Sequence, residues 1–162
     1  MLLFIISICG LILLMVTACF IVKYRNSKIT TMSFRETMDL VGLPIVTFRN
    51  GNKRFNFLLD TGASDSIINS PILQDIDHEV LDSKTCVYGM EGHAVESNLV
   101  FITLVYKDKE YSDTFRSVDM TAAFSQLKQD YGVTVHGILS SSFFERYKYV
   151  LDFKDLIAYS KQ

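Results

Sequence analysis

Only one cysteine, Cys86, lies beyond the first 22 residues, so the rest of the chain cannot close a disulfide within itself. Cys9 and Cys19 both fall in the apolar N-terminal run. Clustered metal ligands are also missing. No Cys-x-x-Cys or His-x-x-His occurs, and His78, His93 and His136 are scattered, so neither a metal nor another cofactor is expected. A Gly-x-Ser-x-Gly nucleophile elbow is absent, which removes the serine hydrolases built on it. The charges nearly balance at −2, with no basic stripe or acidic tail, so no nucleic-acid partner is expected. No internal repeat or low-complexity segment appears, and 162 residues suit one domain of ordinary size.

The last absence is local. Residues 1–22, MLLFIISICGLILLMVTACFIV, carry no charged side chain. A spanning helix needs about 20 apolar residues, and this run is long enough. It ends at Lys23, Arg25 and Lys28, and no Lys or Arg precedes it. The positive-inside rule then predicts a single-pass anchor in the cell (inner) membrane, with the following chain in the cytoplasm. A rival reading comes from VTAC, residues 16–19, which resembles a bacterial lipobox. It would lipidate Cys19 and put the domain outside the cytoplasm. Against it, a basic n-region is lacking and the apolar run continues past Cys19. Residues 23–39 are polar and mixed and read as a juxtamembrane linker, with the folded domain expected over 40–162.

The folded part reads as short strands and turns. LPIVTF (43–48) and RFNFLLD (54–60) flank Asn50-Gly51, a strong hairpin signal. Phe55 and Phe57 alternate there with Arg54 and Asn56. SIIN (66–69) is a short strand, and Ser70-Pro71 predicts a helix start with Ser70 as cap. KTCVYGMEGHAVESN (84–98) reads as a glycine-tipped hairpin. LVFITLVY (99–106) and EYSDTFRSVD (110–119) flank a tight turn at KDK. TAAFSQLKQDYG (121–132) predicts a helix stopped by Gly132. SSFFERY predicts a short helix with a Ser142–Glu145 capping box. A hairpin around Lys154–Asp155 closes the chain. The fold class is mostly β, a closed barrel with one or two short helices.

The stretch NFLLDTGASDSIINS (56–70) places an acid where strand becomes turn. Asp, Thr and Gly all favour turns for local reasons, and that explains Thr61 and Gly62. It does not explain a carboxylate following Phe57, Leu58 and Leu59, which should be buried. Such a carboxylate is costly unless hydrogen-bonded. Gly62 lets backbone N–H groups approach it, and Thr61 and Ser64 add hydroxyls.

These residues resemble the active-site loop of retropepsin-like aspartic proteases, the single-domain kind of clan AA, here in a bacterial-type membrane-anchored form. Two further segments follow in the family's order. Tyr88, Gly89, Met90, Glu91 and Gly92 match its flap. Gly137, Ile138 and Leu139 match its second apolar motif, followed by a short helix and a terminal hairpin. The family often has glycine after Ile-Leu, and this chain has Ser140. The resemblance spans residues 43–160.

The resemblance implies a mechanism. Only one Asp-Thr-Gly occurs, and aspartic proteases need two carboxylates, so Asp60 from each of two subunits would meet on a two-fold axis. The pair would share one proton. The ionised member would activate water against a peptide carbonyl, and the protonated member would donate to its oxygen. Thr61 would bond across the dimer, Gly62, Ala63 and Ser64 would support the loop, and the flap would close over an extended polypeptide substrate. That substrate is expected to be a membrane or membrane-proximal protein. The contrasting expectation is a membrane-anchored module that keeps this fold and binds or dimerises without cutting. Actin-like ATPases also use Asp-x-Gly-Thr/Ser turns, but their two large lobes do not fit in this length.

Overall fold

The computed structural model describes residues 33–88 and 94–161. The expected membrane segment and the flap tip lie outside them. Among the described residues no helix is long and apolar enough to cross a membrane.

Helix α1, Phe34–Val41, occupies the stretch expected to be linker. Ser33 and Glu36 form a reciprocal capping box, and Gly42, at φ 69°, ends the helix in the left-handed conformation. Phe34 is buried and meets the Phe153 ring edge-on at 5.3 Å. The Thr37 hydroxyl donates to the Ile45 carbonyl and accepts from the Ile45 N–H. The packed domain therefore reaches back to Ser33 instead of starting at residue 40.

The main sheet has the order β1-β2-β7-β3-β6-β5-β4. Its strands are β1 Ile45–Asn50, β2 Lys53–Leu59, β3 Ser66–Asn69, β4 Glu79–Tyr88, β5 Ala94–Tyr106, β6 Lys109–Val118 and β7 Gly137–Leu139. A pairing of Arg49 on β1 with Val105 on β5 closes six of them into a barrel, with β4 outside the ring. Helices α2, Thr121–Tyr131, and α3, Ser141–Tyr147, interrupt the strands late in the chain. A separate two-stranded sheet, β8 Tyr149–Asp152 and β9 Ile157–Ser160, follows. The fold is mostly β, as the strand spacing predicts, with three short α-helices among the described residues.

The β1–β2 hairpin turns at Gly51, whose φ of 55° suits glycine. Asn50 also staples the barrel, since its side-chain amide donates to the Asp77 and Thr103 carbonyls and accepts from the Asp77 N–H. The β5–β6 turn at KDK puts Lys107 and Asp108 at positive φ. Phe48, Phe57, Phe115 and Phe143 are fully buried and meet largely edge-on or tilted. Each such side chain contributes about 1.5–3 kcal/mol by leaving water. A second cluster, Ile45, Phe124, Val133, Val135 and Ile138, lies against α2.

Four local expectations are corrected. Residues 94–106 form one long strand, not a hairpin arm followed by a separate strand, and its partner begins as early as Glu79. Asn69, not Ser70, precedes the short 3-10 helix Ser70–Gln74, and its side-chain oxygen accepts instead from the Met120 N–H. Helix α3 lacks the Ser142–Glu145 box, because it starts at Ser141 and so places Ser142 inside the first turn, where its hydroxyl bonds that of Ser140. Asn56, placed by alternation on the polar face, is buried, because residues 134–136 cover it. Its amide is met by Thr47 and Thr134, and its N–H by the His136 ring.

Candidate active site

Strand β7 comes from late in the chain and lies between two strands that are joined early. It runs parallel to β2, Phe57–Leu59 beside Gly137–Leu139, and antiparallel to β3, Ile67 and Ile68 beside Ile138 and Gly137. The loop from Asp60 to Asp65 bridges β2 and β3 over the end of β7. Gly137 makes the insertion possible. A Cβ there would sit 2.5 Å from the Ile67 carbonyl oxygen and 2.8 Å from the Phe57 ring, closer than any side chain tolerates.

The loop is held at both ends. The Asp60 N–H donates to the Leu139 carbonyl at 2.9 Å, so β7 fixes the backbone where β2 stops. The Gly62 N–H donates to Asp60 Oδ1 at 2.8 Å, which steadies the carboxylate as expected. A Cβ on Gly62 would crowd that oxygen at 3.2 Å. The Ala63 carbonyl accepts both the N–H and the hydroxyl of Ser141, at 2.9 and 2.8 Å. Asp60 is half-buried, and Thr61 and Gly62 are exposed. Ser64 departs from expectation: its hydroxyl bonds the Asp65 carboxylate, not Asp60. Asp65 is in turn paired with Arg116 of β6 at 3.0 Å. Ile138 and Leu139 are buried as the apolar motif requires. Tyr88 ends β4 opposite Ala94, while Gly89, Met90, Glu91 and Gly92, the expected flap tip, are outside the described residues.

No protein-family model and no curated protein matches the chain. Among solved structures, the EIAV protease in complex with an inhibitor aligns at a TM-score of 0.50 and 19% identity, over 71% of this chain and 97% of that one. The fold is retropepsin-like. A foamy viral protease-reverse transcriptase bound to an RNA/DNA hybrid also aligns, at a TM-score of 0.45 and 12% identity over 65% of this chain. The match spans only 12% of that longer polypeptide.

Behind the loop, the retropepsin-like barrel of this chain holds a buried polar knot. Ser66, Asp113 and Ser140 are all almost completely buried. The Ser66 hydroxyl donates to Asp113 Oδ2 at 2.7 Å and accepts from the Ser140 N–H at 3.2 Å. The Ser140 hydroxyl lies between the hydroxyls of Ser66 and Ser142, at 3.2 and 2.8 Å. Arg146 of α3 completes the knot, donating to Asp113 Oδ1 at 2.8 Å. Ser140, at the position where glycine is common, therefore joins β3 to α3, and Ser66 carries the link on to Asp113 of β6.

Sequence reasoning missed Ser66, Asp113, Arg116, Ser141 and Arg146. One signal was present. Tyr111, Asp113 and Phe115 share one phase of β6, so the alternation aims an acid at the core. Elsewhere, His136 serves the structure: its Nδ1 accepts the Asn56 N–H at 2.8 Å, and burial holds its pKa below the ordinary imidazole value. Among the described residues no group of three metal-ligating side chains occurs.

Proposed function

We propose that this chain is a membrane-anchored aspartic endopeptidase, active as a homodimer in which Asp60 of each subunit supplies one carboxylate of the dyad. The observation that carries the reading is the hold on Asp60. Its backbone is tied to Leu139, its carboxylate accepts the Gly62 N–H, and its loop faces outward with Thr61 and Gly62 exposed. One loop offers one such carboxylate, because Asp65 is engaged by Arg116. A second copy supplies the other, and the pair shares a proton as it activates water. Thr61 is exposed as a cross-dimer contact requires. Ile157 and Tyr159 add an exposed apolar face on β9, on the same side of the strand.

Residues 1–22 provide the anchor in this reading, in the cell inner membrane with the protease domain cytoplasmic. A reporter fused after Gln162 distinguishes this from a lipoprotein attached at Cys19. The substrate is a polypeptide at or near the bilayer, closed over by the 88–92 flap. The binding-only module gains no support from Ser140, whose hydroxyl is used to tie β3 to the start of α3.

The test is a peptide-library digest with purified wild-type and Asp60→Asn chains. Wild type cleaves and Asp60→Asn does not. Normal cleavage by Asp60→Asn would falsify the mechanism. Adding excess Asp60→Asn to wild type lowers activity through mixed dimers, and a cleaving monomer refutes the shared dyad.

A further inference from the structure

On the barrel wall beside the β1–β2 turn lies an open groove of about 450 Å³, lined by Ser33, Thr47, Arg49, Arg54, Tyr106 and Lys107 among others. Its chemistry is one-sided. Arg49 and Arg54 stand directly opposite each other across the β1–β2 ladder. Like charges placed so destabilise a hairpin, and neither local turn geometry nor core packing requires arginine at these exposed positions. Lys107, from the left-handed β5–β6 turn, adds a third cation, with its ammonium 5.2 Å from the Tyr106 ring centre.

Neither Asp108 nor Glu36 neutralises this cluster. Asp108 reaches Arg49 only at 3.7 Å, and its side chain is 98% exposed, so the pair is weak. Glu36 is engaged by the N–H and hydroxyl of Ser33 in the α1 capping box. Arg54 has no ion-pair partner among the described residues. Two arginines and a lysine that line one concave surface suit a compact, multiply charged oxyanion.

We propose that this groove binds a phosphoryl group, presented by an anionic lipid headgroup or by a free phosphate compound. The site is separate from Asp60. Arg54 and Asp60 lie at opposite ends of β2, about 20 Å apart at the usual rise per strand residue. Anion binding and peptide cleavage can therefore fail independently.

The experiment uses the full chain in micelles of a neutral, sugar-headed detergent. Inorganic pyrophosphate and dioctanoyl phosphatidylglycerol are titrated separately by calorimetry, with dioctanoyl phosphatidylcholine as the zwitterionic control. Wild type binds at least one of the two anions, more weakly as salt is raised. Arg54→Gln weakens binding about tenfold or more, Arg49→Gln/Arg54→Gln abolishes it, and Asp108→Asn tightens it. Arg54→Thr raises the melting temperature of the unliganded chain, because it removes the opposed pair while it loses the anion. Binding of phosphatidylglycerol alone supports the headgroup source, and binding of pyrophosphate supports a free phosphate compound. The proposal is overturned if wild type binds neither anion, or if the double variant binds as tightly as wild type. Cleavage measured on the same samples separates this result from the fate of the proteolytic reading.

Discussion

Asp60 bonds the backbone of Leu139, Asp113 is tied through Ser66 and Arg146, and the fold treats the two acids in opposite ways. Asp60 is half-buried and has a single N–H from its own loop. Asp113 is enclosed, with Ser66 on one carboxylate oxygen and Arg146 on the other. The first acid keeps a face open to a reactant. The second has its hydrogen-bonding capacity spent on protein groups. The two aspartates of one small barrel thus differ in access: a carboxylate enclosed among protein donors is closed to a further partner, and a half-exposed one is not.

The contrast can be broken most severely at Asp60. Asp60→Asn should lower peptide cleavage by at least about a hundredfold, while circular dichroism and the melting temperature stay near wild type. Asp113→Asn should do the reverse, leaving measurable cleavage on a less stable chain. Equal losses of activity in both variants would erase the distinction. Next in size is Gly137→Ala. The new methyl collides with the Ile67 carbonyl and the Phe57 ring, and overpacking of this kind costs about 1–3 kcal/mol, measured by urea unfolding.

Arg146→Ala sharpens the comparison by removing one of Asp113's two partners. Loss of a hydrogen bond to a charged group costs about 1.5–3 kcal/mol, and the lower part of that range applies because the Arg146 side chain is half exposed. Ser140→Gly restores the residue common at this position but removes the hydroxyl that Ser66 and Ser142 share. It should cost about 1 kcal/mol, and a gain in stability would show that the hydroxyl network contributes nothing.

The smallest effect is a slope. Burial lowers the folded-state pKa of His136 below its ordinary 6.5, so the unfolded chain binds the proton more readily. Its contribution to stability is complete above that value and is lost as pH falls below it. Unfolding free energies between pH 7 and 5 should fall less steeply in His136→Gln than in wild type.

Local signals predicted the Asp60 turn, the Asn50–Gly51 hairpin, the 121–132 helix and the terminal hairpin, because each depends on neighbouring residues. Alternation failed at Asn56, where a later segment covers what the strand alone would expose. The linker reading failed at Phe34 because burial against Phe153 is invisible to local polarity. The polar knot was the least legible part. Ser66 and Ser140 are 74 residues apart, and Asp113 and Arg146 are 33 apart, so no short pattern joins them. Only the inward phase of Asp113 on β6 hinted at it.

The insertion of β7 between β2 and β3 also sets an order of events during synthesis. Asn56 is 80 residues from the His136 ring that receives its N–H, and the Leu139 carbonyl that fixes Asp60 is just as distant. A ribosome can complete the Asp-Thr-Gly turn, the first hairpin and the β5–β6 hairpin while the strand that organises them is still unmade. Contacts of such long range form late. The candidate catalytic loop therefore stays unassembled until Leu139 has emerged, and a nascent fragment ending before Gly137 lacks the strand that braces Asp60.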